Sequence, residues 1–325
     1  MKNSFFRLVV LICIFLFAAY SHGDAQEAQE ADDIAGIAWS PAGDKIAVGS
    51  WGGVLEIRDA ASGEVLRMFQ PSLIRISALS WRADGVQIAA GGLEGIVSLY
   101  DVVTGRWVRS LRQEDVVDAL YWVSDDLLLS TNAGSVGVPT LQGWDPITGE
   151  RTFAADAGYY ISIVPNQDHT QLLMQNFAGI SALWSSDPLS LVREFGNWET
   201  GKDFAMSADW STGNLIAIGT ENGRVRIWDV TDAELLYDLP ATDAAMNDLP
   251  RDSTIIIWAV QFSADGTQLT SVCKDGTLRI WNVTTGEMVE DIRLEYSPIY
   301  AAAFSPDGKY LAYGGIGSEI HVVER

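Results

Sequence analysis

Short apolar segments alternate with polar turns along almost the whole chain, and the same phrase recurs at intervals. It starts with glycine, alternates apolar and polar residues, and ends in tryptophan or tyrosine followed by an acidic or amide residue. Its clearest copies are 223–230 and 276–283, and looser copies are 95–102 and 53–60. An apolar–polar alternation with a period of two predicts β-strands rather than helices.

A second phrase, an aromatic residue followed by a tight polar turn, runs in phase with the first. The anchors of this phrase, in chain order, are Trp39, Trp81, Trp122, Val164, Trp210, Phe262 and Phe304. Successive anchors lie 41, 42, 46 or 52 residues apart. A four-stranded propeller blade has a period of ~40–45 residues. Seven anchors at this spacing therefore predict one supersecondary unit repeated seven times.

Each unit is predicted to contain four short antiparallel strands. A mostly apolar second strand, such as Gln87–Ala90 or Tyr310–Tyr313, follows a turn in which proline, aspartate and glycine supply the required backbone angles. Four strands alone cannot bury both faces, so the units must stack around an axis. The predicted fold class is all-β, a seven-bladed β-propeller. The predicted fourth strands are Val65–Phe69, Trp107–Leu111, Arg151–Ala154, Leu191–Phe195, Leu235–Leu239 and Met288–Ile292.

These motifs resemble the WD40 repeat family over about residues 34–325. The Asp-Gly turn, the glycine before strand three and the Trp-Asp ending recur in several copies, but no blade starts with Gly-His. The acidic residue of the turn before strand three survives best at Asp275. The resemblance implies a single propeller, and these departures imply that aromatic packing replaces the polar His–Asp network of many family members.

The last blade shows three strand-forming segments, 299–304, 310–313 and 319–324. In rings of this kind, a strand from the N-terminus commonly completes the last blade. Residues 26–33 are acidic and poor in strand formers. We therefore expect weak or absent pairing there, which would leave the last blade three-stranded where the others have four.

The first 25 residues differ from the rest. Lys2 and Arg7 precede an apolar run from Leu8 to Tyr20, and small and polar residues follow. This pattern predicts a secretory signal cleaved after Gly23 or Ala25, and an uncleaved anchor is the alternative. The predicted organisation is a signal peptide at 1–25, an acidic tail at 26–33 and the propeller at 34–325, in a secreted or periplasmic protein.

Charge and cysteine content narrow the function classes. The net charge of the 325-residue chain is −22, which disfavours nucleic acids and anionic lipids as partners and would attract a basic protein. Loss of the signal would remove Cys13 and leave Cys273 alone, without an internal disulfide. We interpret Cys273 as a buried apolar residue of the strand 269–273.

Most of the 12 tryptophans are predicted to be core residues of strands one and three. The strand-three set is Trp144, Trp184, Trp228 and Trp281. Other aromatic residues fall at or near turns that open onto one end of the ring, where exposed aromatics would form a protein-binding surface. The predicted partner-binding residues are Trp51, Tyr159, Tyr160, Phe177, Trp198, Trp258 and Tyr296.

Catalytic motifs are missing from the sequence. His169 and His321 lie in different blades, and no hydrolase, zinc-protease or phosphate-binding motif is present. We predict no catalytic, cofactor-binding or metal-binding residues. The leading hypothesis is an exported, monomeric, non-enzymatic scaffold that binds a protein through one face. The alternatives are an exported metal-dependent hydrolase or lyase with a site at the propeller axis, and a structural envelope component.

Overall fold

The computed structural model describes residues 33–70, 74–132, 139–155, 160–176, 180–196, 205–241, 255–295 and 297–324. They form seven antiparallel sheets arranged as a β-propeller. In every sheet the strands follow one another in chain order. Within this part of the chain no helix has the length and apolar character needed to cross a bilayer. The predicted fold class is confirmed.

The first three blades contain β1 to β12. Blade 1 contains β1–β4, with bounds Ile34–Trp39, Lys45–Ser50, Leu55–Asp59 and Val65–Phe69. Blade 2 contains β5–β8, with bounds Ala78–Trp81, Gln87–Gly91, Ile96–Asp101 and Arg106–Arg112. Blade 3 contains β9–β12, with bounds Ala119–Ser124, Leu127–Thr131, Leu141–Trp144 and Arg151–Ala155.

The remaining blades contain β13 to β27. Blade 4 contains β13–β16, with bounds Tyr160–Pro165, Gln171–Asn176, Ile180–Ser186 and Leu189–Gly196. Blade 5 contains β17–β20, with bounds Ala205–Trp210, Leu215–Thr220, Arg224–Asp229 and Glu234–Pro240. Blade 6 contains β21–β24, with bounds Ile257–Phe262, Gln268–Cys273, Thr277–Asn282 and Met288–Arg293. Blade 7 contains β25–β27, with bounds Ile299–Phe304, Tyr310–Gly315 and Ile320–Glu324.

The first strands are innermost, because the first strand of each blade contacts that of the next blade and β25 contacts β1. A separate cluster of buried apolar side chains fills each of the seven seams between blades. Second strands are buried on both faces, whereas fourth strands are largely exposed. Burial therefore falls from the axis to the rim, and blade stacking supplies the core.

Polar turns set the strand spacing within each blade. Gly266, before β22, has a φ of +70°, as predicted for this turn. The Asp265 carboxylate accepts hydrogen bonds from the Ser263 hydroxyl at 2.6 Å and the Thr267 amide at 3.0 Å. These bonds lower the pKa of Asp265 to about 2. Gly43, Gly85 and Gly308 hold the same positive φ before the second strands of blades 1, 2 and 7.

The predicted tryptophan anchors join neighbouring blades. Each lies at or near the end of a first strand, is nearly buried, and donates its indole N–H to a carbonyl in the first strand of the preceding blade. The acceptor is the residue just before that blade's anchor. The four bonds run from Trp39 to Ala303 (2.9 Å), Trp81 to Ala38 (3.1 Å), Trp122 to Ser80 (3.2 Å) and Trp210 to Val164 (3.1 Å).

One anchor was predicted wrongly. Pro165 lies opposite Leu172 in the register in which Trp39 lies opposite Ile46, so Pro165 and not Val164 holds the anchor position of blade 4. Val164 instead supplies the carbonyl that Trp210 binds. Proline cannot donate a side-chain hydrogen bond, and no aromatic residue marks this position in the sequence.

Two seams without an anchor tryptophan use other bonds. Between blades 3 and 4, the Tyr121 hydroxyl hydrogen-bonds His169 Nδ1 at 2.5 Å, and the two rings stack. Between blades 5 and 6, the Asp209 carboxylate accepts the Phe262 amide at 2.7 Å. The inner ring therefore keeps a polar tie at these seams even where the anchor lacks an indole.

Glycine in the second strand lets neighbouring blades approach closely. A Cβ at Gly49 would lie 2.1 Å from the Ile76 carbonyl oxygen, which belongs to the connection into blade 2. At Gly314, in the same position of blade 7, it would lie 2.3 Å from the Ile34 side chain of blade 1. A β-strand glycine at these positions is thus required by the backbone or side chain packed against it.

Blade 7 has three strands among the described residues, as predicted. Its seam with blade 1 is joined at Asp33, whose carboxylate accepts the Gly317 amide at 2.6 Å. Asp33 is 8% exposed, so it forms part of the ring, although the sequence pattern predicts it as the end of the acidic tail. The predicted signal peptide and the rest of that tail lie outside the described residues.

Candidate functional site

One end of the ring, which we call the loop face, is built from the β2–β3-type turns and the connections between blades. The described connections out of blades 1, 2 and 6 each return to the turn of the blade they leave. In blade 1 the Ile76 amide binds the Ser50 carbonyl at 2.9 Å, and in blade 2 the Val117 amide binds the Gly92 carbonyl at 2.9 Å. The backbone therefore fixes the positions of side chains carried by these segments.

Trp51 is the best-defined predicted residue on the loop face. Its amide donates to the Asp33 carbonyl at 2.8 Å, and its carbonyl accepts the Arg75 amide at 2.9 Å. The Arg75 guanidinium carbon lies 4.4 Å from the centre of the indole ring, a cation–π contact. Trp51 is half-buried, so part of its ring is available to a ligand.

Exposed apolar side chains lie on segments that hydrogen bonds join to the segment of Trp51. Ile74 is 60% exposed, Leu93 is 41% exposed and Ile316 is 41% exposed. The Leu93 amide binds the Ile74 carbonyl at 3.2 Å, and Gly317, next to Ile316, binds Asp33. We call Trp51, Ile74, Arg75, Leu93 and Ile316 the seam patch, since it crosses from blade 7 over blade 1 to blade 2.

The charge on the seam patch is a partly desolvated cation. Burial lowers the pKa of Arg75 from its ordinary value, and the nearby Asp118 carboxylate opposes that shift. Burial also lowers the pKa of Lys274, in the corresponding turn of blade 6. Arg75 and Lys274 are thus partly withdrawn from water, whereas Ile74, Leu93 and Ile316 are exposed.

Two predicted contact residues are held by core packing. Tyr160 is 1% exposed in β13 and packs edge-on against Trp184, so it cannot contribute to a surface. Trp258 lies in β21, at a bulge between Ile257 and Ala259, and packs partly buried against the cluster between blades 6 and 7. The prediction for Tyr160 is wrong because the residue begins a strand instead of ending a loop.

The other predicted residues lie outside the described part of the chain. They are Tyr159, Phe177, Trp198 and Tyr296.

Sequence reasoning missed the aliphatic members of the seam patch because it considered only aromatic residues. Leu93 and Ile316 occupy the same turn between strands two and three that holds Trp51. Comparison of that turn across the repeats would have found both residues. Ile74 follows a fourth strand, and no comparable signal marks it.

The chemistry available to the described residues is limited. No group of three or more histidine, cysteine, aspartate or glutamate side chains is placed to hold a metal ion within the described ranges. Cys273 is 2% exposed, as predicted, and burial raises the pKa of its thiol to about 12. At neutral pH this thiol is protonated and is not a nucleophile.

Two family descriptions match parts of this ring. The WD domain, G-beta repeat, matches residues 249–282, and the anaphase-promoting complex subunit 4 WD40 domain matches residues 73–125. These segments contain the third-strand endings Trp281 and Tyr100. The matches confirm the resemblance to WD40 repeats over both segments.

Curated proteins with similar sequences also carry such names. WD repeat and SOCS box-containing protein 1 of Danio rerio is 36% identical over 108 residues, 33% of this chain and 23% of that protein. Apoptotic protease-activating factor 1 of Rattus norvegicus is 30% identical over 184 residues, 55% of this chain and 14% of that protein. Eukaryotic translation initiation factor 3 subunit I of Culex quinquefasciatus is 32% identical over 100 residues, which are 31% of this chain and 27% of that protein. The chain thus spans between 14% and 27% of these relatives.

Proposed function

We propose that this protein is an exported, non-enzymatic scaffold that binds a protein partner through the loop face of its propeller. The seam patch carries the proposal. Three exposed aliphatic side chains and a half-buried tryptophan lie together on backbone segments joined by hydrogen bonds. Apolar side chains clustered around an aromatic residue are the usual centre of a protein interface.

Other observations support the same proposal. The net charge of −22 would attract a basic partner and repel nucleic acid. Similarity to proteins named as a SOCS box-containing protein and as a subunit of an initiation factor agrees with a role in assemblies. The basic start and apolar run of residues 1–25 support export, and we place the protein as a monomer outside the cytoplasm.

The proposal is tested by capture from the native envelope or medium with matched variants. Ile74→Asp and Trp51→Ala should lose the partner. The control is Ile147→Asp, since Ile147 is 67% exposed in a turn between strands three and four, at the other end of the blade. Retention by Ile147→Asp and loss by Ile74→Asp are expected. Equal capture by all variants would exclude the seam patch as the contact.

Export and oligomeric state need separate measurements. The intact mass of the protein recovered from the producing cell should show a start at Asp24 or Gln26. Light scattering should give the mass of a monomer. A mass that includes residues 1–25 would indicate a retained anchor instead of a cleaved signal.

A further inference from the structure

The fourth strands of blades 1, 2, 4 and 5 each tie their blade to the next one at the rim. Arg109 of β8 donates to the Ile147 and Thr148 carbonyls of blade 3, both at 2.6 Å. Matching bonds run from Arg67 to Val103 at 3.2 Å, from Arg193 to Thr231 at 3.0 Å, and from the Tyr237 hydroxyl to Thr284. In every case the acceptor lies in the turn between strands three and four of the following blade.

The residues that make these ties share a local sequence. Two apolar residues that are 37% or more exposed precede each of them, as Trp107 and Val108 precede Arg109. Two positions after the tie, an apolar residue such as Phe69 or Leu111 turns inward and is 8% or 1% exposed. A fourth strand of this ring thus reads apolar, apolar, arginine or tyrosine, any residue, apolar.

Blade 7 presents an edge where such a strand would pair. β27 pairs with β26 and with no other described strand. Glu324 lies opposite Tyr310 as Asn282 lies opposite Gln268, and the Asn282 amide binds the Glu287 carbonyl at the start of the fourth strand. Backbone alternation then directs the amides of Val322 and Ile320 outward from blade 7.

The surroundings of this edge differ from those of complete blades. Ile292 of blade 6 is 37% exposed, whereas Phe69, Leu111 and Leu239 at the same register are 1% to 8% exposed. Ala61 of blade 1 matches the tied carbonyls of Val103 and Thr284, and no side chain among the described residues donates to its carbonyl. The partly exposed Ile292 side chain and the Ala61 carbonyl therefore lie on either side of the open edge.

The charge near the edge favours a cation. Glu319 precedes β27, Glu324 is its last residue, and both are exposed. Glu290 of β24 stands where Arg109 stands in β8. The segment 26–32 of this chain contains only acidic, amide and alanine residues. It has neither the arginine nor the large apolar side chains found in the other fourth strands.

We propose that an extended segment of a partner protein adds to β27 as the fourth strand of blade 7. Its sequence has the form apolar, apolar, arginine, any residue, apolar, and its arginine donates to the Ala61 carbonyl. Main-chain hydrogen bonds to an open sheet edge supply affinity in such complexes, and alternate side chains supply specificity. This site is separate from the seam patch and does not depend on it.

A peptide of residues 104–113 of this chain is the probe, since it contains β8 with its three arginines. Binding to the purified protein is measured by fluorescence anisotropy. Val322→Pro removes an outward amide without touching the pairing to β26 and should weaken binding by about tenfold or more. Val322→Thr, which keeps the amide, and Trp51→Ala, on the loop face, should each bind within about twofold of the original protein.

A second measurement does not rely on the fold of Val322→Pro. A probe with Arg109→Met should bind about tenfold more weakly, because it loses a charged donor to a carbonyl. Hydrogen exchange at the Ile320 and Val322 amides should slow when the probe is added. The proposal would be overturned if both probes bound equally well. It would also be overturned if Val322→Pro bound the original probe as tightly as the original protein does.

The other occupants give different results. Protection of both amides in the free monomer would assign the edge to residues 26–32 and overturn the proposal. Protection in a dimer that dissociates on Val322→Pro would assign the edge to a second copy of this chain, and this result would overturn the proposal as well. Loss of the captured partner by Ile74→Asp with normal probe binding would leave the edge site intact, so the two proposals fail separately.

Discussion

The seam between blades 1 and 2 and the seam between blades 6 and 7 are built from the same strand positions. The residues at those positions differ, and so do their contacts. At the first, Trp81 bonds the Ala38 carbonyl, Gly49 admits Ile76, and Phe69 packs 4.4 Å from Tyr100 between ring centres. At the second, Phe304, Val272 and Ile292 hold the positions of Trp81, Gly49 and Phe69.

Both seams nevertheless contain a buried apolar cluster near the axis. The difference between them grows toward the rim, where blade 7 has no described fourth strand and Val323 stands in the position of Tyr100. Apolar packing is therefore common to the inner halves of both seams. The contacts in the outer half of a seam depend on which strands and side chains the neighbouring blade places there.

The largest effect is expected from Gly49→Ala. The added Cβ would lie 2.1 Å from a backbone oxygen, so blades 1 and 2 must move apart, at a loss of about 1–3 kcal/mol in the free energy of unfolding. This loss in the free energy of unfolding is measured by urea denaturation. Gly213→Ala is the control, because its Cβ would have no neighbour closer than 3.7 Å. Equal losses in the two variants would show that the close approach is not limiting.

Trp81→Phe should have the next largest effect, a loss of about 1 kcal/mol. It removes the indole donor, leaves the Ala38 carbonyl without that bond, and gives the 1–2 seam the side chain found at the 6–7 seam. The reciprocal variant Phe304→Trp should raise the urea midpoint. If Trp81→Phe unfolds at the original midpoint, the indole bond does not account for the difference between the seams.

A smaller loss, below about 1 kcal/mol, is expected for Arg109→Met, since water can replace the guanidinium at exposed carbonyls. Glu290→Met changes the same register position in blade 6, where no rim tie is described, and should not lower the urea midpoint. A double-mutant comparison with Trp122→Phe, which removes the indole bond to Ser80 at the same seam between blades 2 and 3, would test whether rim and axis contacts act independently. Destabilisation by Glu290→Met would reveal a contact at the 6–7 rim.

Acid should destabilise the turns of blades 2 and 6 in the same direction, with the smallest effect per residue of these changes. Hydrogen bonds lower the pKa of Asp84, chiefly from Arg82, and of Asp265, chiefly from Ser263. A pKa lowered by folding stabilises the fold above about pH 4, and this contribution is lost as the pH falls toward 2. Asp84→Asn and Asp265→Asn should each flatten the decline of the urea midpoint between pH 4 and pH 2. A steeper decline in either variant would contradict the assignment.

The blades were predictable because their signals are local. An aromatic anchor, a polar turn with glycine and an apolar strand occur within about a dozen residues. Trp39, Gly43 and Ile46 are one such set, and each helps to identify the others in the sequence. The three-stranded last blade also followed from local strand preferences. Blade 4 shows the limit, since Pro165 has no aromatic signal and its register became clear only from its pairing with Leu172.

Contacts between blades were harder to predict because they join residues that are distant in the sequence, such as Gly49 and Ile76, which are 27 positions apart. Nothing local to either residue indicates that Gly49 faces Ile76 or that Arg109 reaches Thr148. Repetition offers an indirect sign, since glycine recurs at the fourth buried position of several second strands and arginine recurs in fourth strands. The prediction for Tyr160 failed because this residue begins β13 and packs against Trp184 of another strand in the same blade.

The ring is fastened between blades 7 and 1 without a covalent bond. Trp39 and Ala303 are 264 residues apart, whereas the matching pair Trp81 and Ala38 is 43 residues apart. Because the entropy of closing a loop grows only with the logarithm of its length, this longer closure costs roughly 1.6 kcal/mol more than an ordinary neighbour contact. Relocating the chain ends to another blade boundary, as in a circular permutant, would therefore exchange one modest closure cost for another and leave the folded ring accessible.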